Sequence, residues 1–428
     1  MGHVAGSDHA YRSLQRRLDR NVTGAPESPA FTRILQLLFS PEEAEMAARL
    51  PSRPTPLDVL ARRLGLHPER LCETLTGMAQ RGLVLDFERR GRHYFMLPPV
   101  VIGFYEFTFM RTRDDLPMAE LARLFEEYMT KDDRFTRSVF QGNTQVGRSL
   151  VREEALPEGD STEILDWERA SRIVSSAHAV GVSLCACRHE ASHLGRACDR
   201  PQETCLTLGY MAEALVRNGF ARPITKAEAM RIMGECKELG MAQTADNVQH
   251  NISYICNCCG CCCGMVQAIK GFGLRNAIVT SNWIAEVDLS RCKGCGKCAQ
   301  ACPVDAIHIA QETQANGKRR WAVRDEGLCL GCGVCYSVCK QDAIRMKPRP
   351  RRVFTPEAAF DRLVSMAIER GKLAYLIFDD PSRLSHRALG RITSILEKSP
   401  PFKAAMAIEP LRSAFFNAIV KGAKKSQG

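Results

Sequence analysis

The side chains with the most chemistry in this chain are its cysteines. There are 20, and only Cys72 precedes Cys185. Eight fall in two runs of one design, Cys292-x2-Cys295-x2-Cys298-x3-Cys302 and Cys329-x2-Cys332-x2-Cys335-x3-Cys339, each position of the second lying 37 residues after its counterpart. The repeat extends past the cysteines, because Asp305-Ala306-Ile307 returns at the same offset as Asp342-Ala343-Ile344. Three thiolates two residues apart can wrap one face of an iron–sulfur cubane, and Gly294, Gly296, Gly331 and Gly333 free the backbone to turn amides toward sulfur. Structural zinc would use pairs of C-x2-C knuckles rather than triplets followed by a fourth cysteine.

The two runs resemble the bacterial-type ferredoxins with two [4Fe–4S] clusters, in which the fourth cysteine of each run ligates the other cluster. The resemblance implies that Cys292, Cys295, Cys298 and Cys339 hold one cluster, while Cys329, Cys332, Cys335 and Cys302 hold the second. Pro303 follows the first run, but Lys340 stands where a proline commonly follows the second. That departure bears on the cluster's potential and leaves ligation intact. A module of this kind moves electrons. It has no hydride carrier, no open metal coordination and no acid–base pair of its own.

A second constellation lies upstream: Cys185-x-Cys187-Arg188-His189, then Cys198, Cys205 and Cys256-Asn257-Cys258-Cys259-Gly260-Cys261-Cys262-Cys263. Ten cysteines in under 80 residues are not ordinary core thiols, and six within eight positions would oxidise at random unless ligated or kept reduced. Two helices are expected between the groups, at about 206–218 and 226–239, the second opened by Thr225 and Glu228 as a capping box. A helical hairpin would then close the two cysteine loops on each other. The block is similar to CxCR…CNCCxCC blocks that precede dicluster ferredoxin modules in electron-transfer and heterodisulfide-reductase-associated proteins of anaerobic bacteria. The resemblance implies at least one more iron–sulfur cluster. Cys185, Cys187, Cys198 and Cys205 supply four thiolates for it, and Cys256, Cys258, Cys259 and Cys262 complete or duplicate the site. Arg188 can balance its negative charge, whereas His189 and His193 read as hydrogen-bonded or solvent-facing side chains. The alternatives are a zinc site and a thiol–disulfide active site at Cys258-Cys259 and Cys261 to Cys263. Cys236 and Cys72 read as buried and inert.

The elements that must position these residues suggest an α+β multidomain chain. Its N-terminal and central parts are expected to be mainly helical, with a winged-helix-like domain, ahead of a ferredoxin-like two-[4Fe–4S] domain. Residues 1–30 read as a flexible arm. Residues 31–97 resemble a winged helix-turn-helix domain, with apolar helical faces at Leu57, Leu60, Ala61 and Leu64 and at Leu71, Leu75, Met78 and Ala79, then a hairpin around Arg89-Arg90-Gly91-Arg92. Residues 98–160 form a helical connector with a core stripe of Met118, Leu121, Leu124, Phe125 and Tyr128. The cysteine-rich domain spans 161–284 and the ferredoxin domain 285–347. An α/β docking tail covers 348–428, with Thr355 capping a helix and Leu373 to Phe378 as a strand.

Net charge is +11, but the basic residues are spread along the chain. The run Arg345, Lys347, Arg349, Arg351 and Arg352 reads as a solvated, stiff boundary, with a docking strip for an acidic partner as the alternative. The candidate recognition helix carries Glu69 and Glu73 against Arg70, so base reading is not expected of it, although the basic wing could touch phosphate. No apolar run is long enough to span a membrane, and no basic-then-apolar leader opens the sequence, which points to the cytoplasm. So many cysteines there imply metal. No nicotinamide or flavin fingerprint follows a strand. The sequence therefore points to an iron–sulfur electron-transfer protein exchanging electrons with redox partner proteins, more a component of an oxidoreductase system than an enzyme by itself. A redox-sensing regulator and a reductase acting at the upstream cluster are the other readings.

Overall fold

Val180–Leu184 and Glu203–Leu208, rich in Val, Leu and Thr, form extended chain, because β-branched and apolar side chains pack on a pleated surface. The computed structural model describes residues 2–131, 133–156, 166–314, 317–379 and 384–402, and these fall into two units. One comprises residues 106–123 and 145–355 and holds every cysteine but Cys72. Its centre is a six-stranded antiparallel sheet in the order Gly147–Ser149, Ala242–Asp246, Tyr254–Cys258, Glu203–Leu208, Val180–Leu184 and Arg222–Pro223. This corrects the expectation of a mainly helical centre. Leu206 to Leu208, expected to open a helix, end a strand instead, and the helix begins at Gly209. Helices Ala170–Ser176 and Lys226–Glu238 cover the sheet, burying Ile173, Val174, Met233 and Cys236 against Val182, Leu206 and Ile255. Thr225 caps the second helix by accepting from the Glu228 amide at 3.1 Å.

The repeat in the sequence is a repeat in the backbone. Strand Trp283–Val287 pairs with Ile344–Pro348, and Ile307–Gln314 pairs with Gly317–Arg324. The pair Val287 and Ile344 becomes Arg324 and Ile307 when the 37-residue offset is applied in opposite senses. Asp288 N–H donates to Ala343 O at 2.8 Å, and its counterpart Asp325 N–H donates to Ala306 O at 2.7 Å. Each half therefore completes the sheet of the other. That exchange is what carries a cysteine of one run toward the other run's site.

The other unit comprises residues 1–105, 124–144 and 356–428. Residues expected to be a flexible arm form the helix Gly2–Asp19, which buries Tyr11, Leu14 and Leu18. The apolar spacing of those three outweighs the polar composition around them. Ser28 and Ser40 cap the next helices, Pro29–Leu38 and Pro41–Ala47, each with proline in the first turn. Helices Leu57–Leu64 and Pro68–Gln80 precede the hairpin Leu85–Arg89 and Arg92–Met96, joined by Thr55–Pro56 in a three-stranded sheet. Tyr128 stacks between Phe31 at 4.7 Å and Phe135 at 4.4 Å. Of the expected stripe, Phe125 and Tyr128 are buried in this unit and Leu124 is half-buried, while Met118 and Leu121 are buried residues of the first unit.

Two expectations for the tail change. Leu373–Ile377 is helical, since a short apolar run fits a buried helix as well as a strand. Thr355 caps no helix. Its hydroxyl accepts from Arg148 at 3.0 Å, and the helix starts at Ala359, where Asp361 accepts from the Ala358 amide at 3.0 Å. The basic boundary run changes too, because Arg349 turns inward to the carbonyls of Ser281 at 3.0 Å and Cys329 at 2.6 Å. Arg345 and Lys347 lie in the strand Ile344–Pro348.

Candidate metal centres

In the repeat, the cysteines of each triplet sit in turns entered through left-handed glycines. Gly294 and Gly331 have φ of 60° and 71°, and Gly296 and Gly333 have 82° and 80°. Substituents at two of them would collide with the opposite half: a Cβ on Gly294 would stand 2.5 Å from the Arg320 backbone, and one on Gly331 2.1 Å from the Trp283 carbonyl oxygen. Cys292, Cys295, Cys298 and Cys339 line one pocket. Cys302 lies among the other triplet, its thiol pushed up by burial and, less strongly, by Cys329; Cys332 is pushed up to about 12 by burial and then by Cys302 and Cys329.

Backbone amides reach the sulfurs. Ala306 N–H donates to Cys302 Sγ at 3.2 Å, Ala343 N–H to Cys339 Sγ at 3.4 Å, and Ala322 N–H to Cys292 Sγ at 3.4 Å. Four thiols around a pocket, with amides that favour the thiolate form, are the donor set a cubane requires. The residues present therefore fit the group.

Two arginines border the second triplet, Arg152 buried and Arg349 half-buried. Arg152 donates to Ser337 Oγ at 2.6 Å and to the carbonyls of Lys237 at 2.8 Å and Met241 at 3.2 Å. Burial holds its pKa below the ordinary arginine value, while Cys332, then Glu154 and Cys335, pull it back up. Arg349 is lowered by burial in the same way and raised by Cys329. Both lie far in sequence from the cysteines they face, and no local motif announces them.

The upstream cysteines are arranged by the sheet. Cys205 lies on strand Glu203–Leu208, while Cys256 and Cys258 lie two apart on its neighbour Tyr254–Cys258 and so face the same side. Cys185 is the residue before helix Ala186–His193, and Cys187 is in its first turn. Six thiols are near enough to shift one another's ionisation as a chain of neighbours, Cys185 to Cys187 to Cys263 to Cys258 to Cys256 to Cys205. Hydrogen bonds from Cys256 and then Cys263 bring Cys258 down to about 5. Cys185 and Cys256 are pushed well up, chiefly by donating to Cys187 and Cys205 respectively. Six crowded thiols cannot all ionise without a cation among them.

The remaining four make a different group. Sulfurs of Cys198, Cys259, Cys261 and Cys262 lie within 4.8 Å of one another. The expected set of Cys185, Cys187, Cys198 and Cys205 is thus divided, with Cys198 joining Cys259 and Cys262. Cys261 and Cys263, left out of the expected ligands, take part in the two groups. Their signal was the density of the run Cys256 to Cys263 itself.

Arg188 is fully buried between the two groups. It donates to Pro201 O at 3.1 Å, Asn257 O at 3.3 Å, Cys259 Sγ at 3.9 Å and the Thr204 hydroxyl. Burial opposes its charge, but Cys185, Cys259 and Cys258 outweigh burial and push its pKa up. His189 is tied down elsewhere, with Nδ1–H donating to Phe109 O at 2.7 Å. Cys236 is buried in the sheet core, its thiol pushed up to about 11 by burial, and Cys72 is only half-buried.

Residues 291–343 match the family model described as a 4Fe-4S dicluster domain. No curated protein and no solved structure matches the chain. The dicluster domain and the cysteine clusters give the chain an iron–sulfur, metal-binding, electron-transfer role. Among the described residues, no helix is long and apolar enough to cross a membrane.

Proposed function

We propose that the chain relays electrons between redox partner proteins in a reducing, cytosolic compartment, through two [4Fe–4S] clusters and a further iron–sulfur centre upstream. In this reading Cys292, Cys295, Cys298 and Cys339 hold one cluster and Cys329, Cys332, Cys335 and Cys302 the other. The thiol chain of Cys185, Cys187, Cys205, Cys256, Cys258 and Cys263 holds the additional centre. Clusters of this type supply one-electron reduction and oxidation with little rearrangement of their ligands.

The observation that carries the reading is a single-strand separation between the two cysteine systems. Cys332 packs on Ala242, and Ala242 is the antiparallel partner of Cys258. Gly260 adds a second contact, since a Cβ there would stand 3.0 Å from the carbonyl oxygen of Pro303, the residue after Cys302. Lys270 pairs with Asp305 at 2.8 Å on the same face. Buried Arg152 and half-buried Arg349 hold positive charge beside the second triplet and so favour its reduced form.

The helices and hairpin of residues 31–97 serve in this reading as a winged-helix-like docking module. Helix Pro68–Gln80 carries Glu69 and Glu73, and Arg92 of the hairpin is held by Asp58 at 3.0 Å, which supports docking over base reading. The test is the full-length protein purified without oxygen, with iron and acid-labile sulfide counted and the reduced protein examined by EPR. Iron and sulfide are expected above the roughly eight of a dicluster module. Cys258→Ala should remove several irons with matching sulfide and leave the dicluster signals. A wild type with only the dicluster content, unchanged by Cys258→Ala, sinks the upstream centre. Stoichiometric zinc without labile sulfide sinks the whole reading.

A further inference from the structure

We propose that Cys198, Cys259, Cys261 and Cys262 form a mononuclear tetrathiolate site for one divalent transition-metal ion, zinc or iron, distinct from both the dicluster module and the six-thiol chain.

Distance is the first argument. A tetrahedral ion with metal–sulfur bonds of about 2.3 Å has sulfur–sulfur edges of about 3.8 Å. Cys261 Sγ lies 3.6 Å from Cys262 Sγ, and Cys262 Sγ lies 3.8 Å from Cys198 Sγ. All four sulfurs fall within 4.8 Å of one another. In a cubane each cysteine binds a different iron, so its four sulfurs must stand around a core instead of touching. The dicluster cysteines Cys292, Cys295, Cys298 and Cys339 do stand around a pocket. The four cysteines here leave room at their centre for one ion and nothing larger. Four sulfurs at tetrahedral spacing select zinc or iron over the oxygen-seeking cations.

The second argument is that the loop is already shaped for ligation. Three donors come from four consecutive residues, which requires a tight turn through Gly260. Gln267 Nε2 fastens that turn by donating to Gly260 O and Cys261 O, both at 3.0 Å. Cys262 N–H donates to Cys259 Sγ at 3.4 Å, a bond that favours thiolate. The fourth donor, Cys198, comes from the loop after helix Ala186–His193, so an ion here would join two segments far apart in sequence.

Charge is the third. Binding a divalent ion sends four thiol protons to solvent and leaves a site of net charge −2. The buried guanidinium of Arg188, 3.9 Å from Cys259 Sγ, offsets half of that. Cys259 and Cys262 are buried while Cys261 is exposed, so an ion can enter from the surface. With Gly260 against the Pro303 backbone, the filled site would hold the loop on the dicluster module.

The proposal does not depend on what the six-thiol chain holds. Its test uses full-length protein purified anaerobically, with iron, zinc and acid-labile sulfide counted per chain in the wild type, Cys261→Ser, Cys198→Ser and the double variant. The double variant is expected to lose one metal ion per chain and no sulfide, with the dicluster EPR signals intact as the control for folding. Loss of a zinc ion assigns zinc. Loss of an iron, together with loss of a high-spin ferric signal from the oxidised protein, assigns iron. Loss of several irons with matching sulfide makes the site part of a cluster and overturns the proposal. So does unchanged metal in the double variant.

Discussion

Gly331→Ala and Gly296→Ala should differ sharply, although both replace a left-handed glycine between cluster cysteines. Gly296 has φ of 82°, and the nearest atom to a Cβ there is Ile309 Cγ1 at 3.8 Å, an ordinary contact. Only the left-handed penalty of about 1–2 kcal/mol applies. Gly331 has φ of 71° and pays the same penalty, but its Cβ would stand 2.1 Å from Trp283 O and 2.3 Å from Ser281 Oγ. Those atoms cannot simply swing aside. Ser281 Oγ donates to Gly331 O at 2.8 Å and accepts from Trp283 N–H at 3.2 Å, and Trp283 is paired in the sheet opposite Pro348. Relieving the overlap adds about 1–3 kcal/mol of overpacking. It also strains two hydrogen bonds worth about 1 kcal/mol each. The difference between the variants is then at least about 3 kcal/mol, or roughly a hundredfold in the population of the cluster-ready turn. Iron and sulfide analysis of anaerobically purified protein reads this directly. Gly296→Ala should keep wild-type content, and Gly331→Ala should lose about four irons and four sulfides, leaving an uncoupled EPR spectrum from the remaining cluster. Equal iron content in the two variants would refute the claim that close approach of the two halves shapes the site.

Other consequences can be checked in parallel. Arg188→Gln leaves buried acceptors at Asn257 and Thr204 unpaired, at about 1–3 kcal/mol each, and loses the bond to Pro201 O; lowered metal content in the Cys185–Cys263 block and a lower melting temperature are expected, with Arg188→Lys only partly restoring either. Arg148 and Glu168 form an ion pair with both side chains fully buried, so Glu168→Gln should cost about 3–5 kcal/mol in denaturant titration. The double variant Arg148→Met/Glu168→Leu should be less destabilised than Glu168→Gln alone. Lys372 donates to Asp19 O at 2.7 Å and Asn21 O at 2.8 Å, while burial, and secondarily Arg370, bring its pKa down from 10.5 to about 8. Because the unfolded chain then binds the extra proton between those values, stability should rise as pH rises from about 8 to 10.5, and Lys372→Met should flatten that slope in pH-dependent melting.

How much could be read without coordinates followed the range of each interaction. The capping signal at Thr225 is local chemistry, carried within three positions of the Glu228 amide it caps, whereas the similar signal at Thr355 misled because a distant side chain, Arg148, takes its hydroxyl. The helix Gly2–Asp19 was hidden because its apolar residues are diluted by polar ones and only packing reveals which face is buried. The Leu373–Ile377 run was ambiguous for the opposite reason, being apolar throughout and too short for its period to speak.

The sequence by itself determined the dicluster module. Its cysteine spacing, its glycines and its 37-residue repeat are properties of neighbouring residues copied twice, and the repeat fixes which backbone atoms correspond. The tertiary structure alone decided how the ten upstream cysteines divide. Cys258 and Cys259 are adjacent in the chain yet join different groups, because the first ends a strand beside Cys256 while the second begins the turn toward Cys198. Which thiols meet depends on pairing between strands far apart in the chain and on the seat of Arg188 between them. No local spacing encodes either.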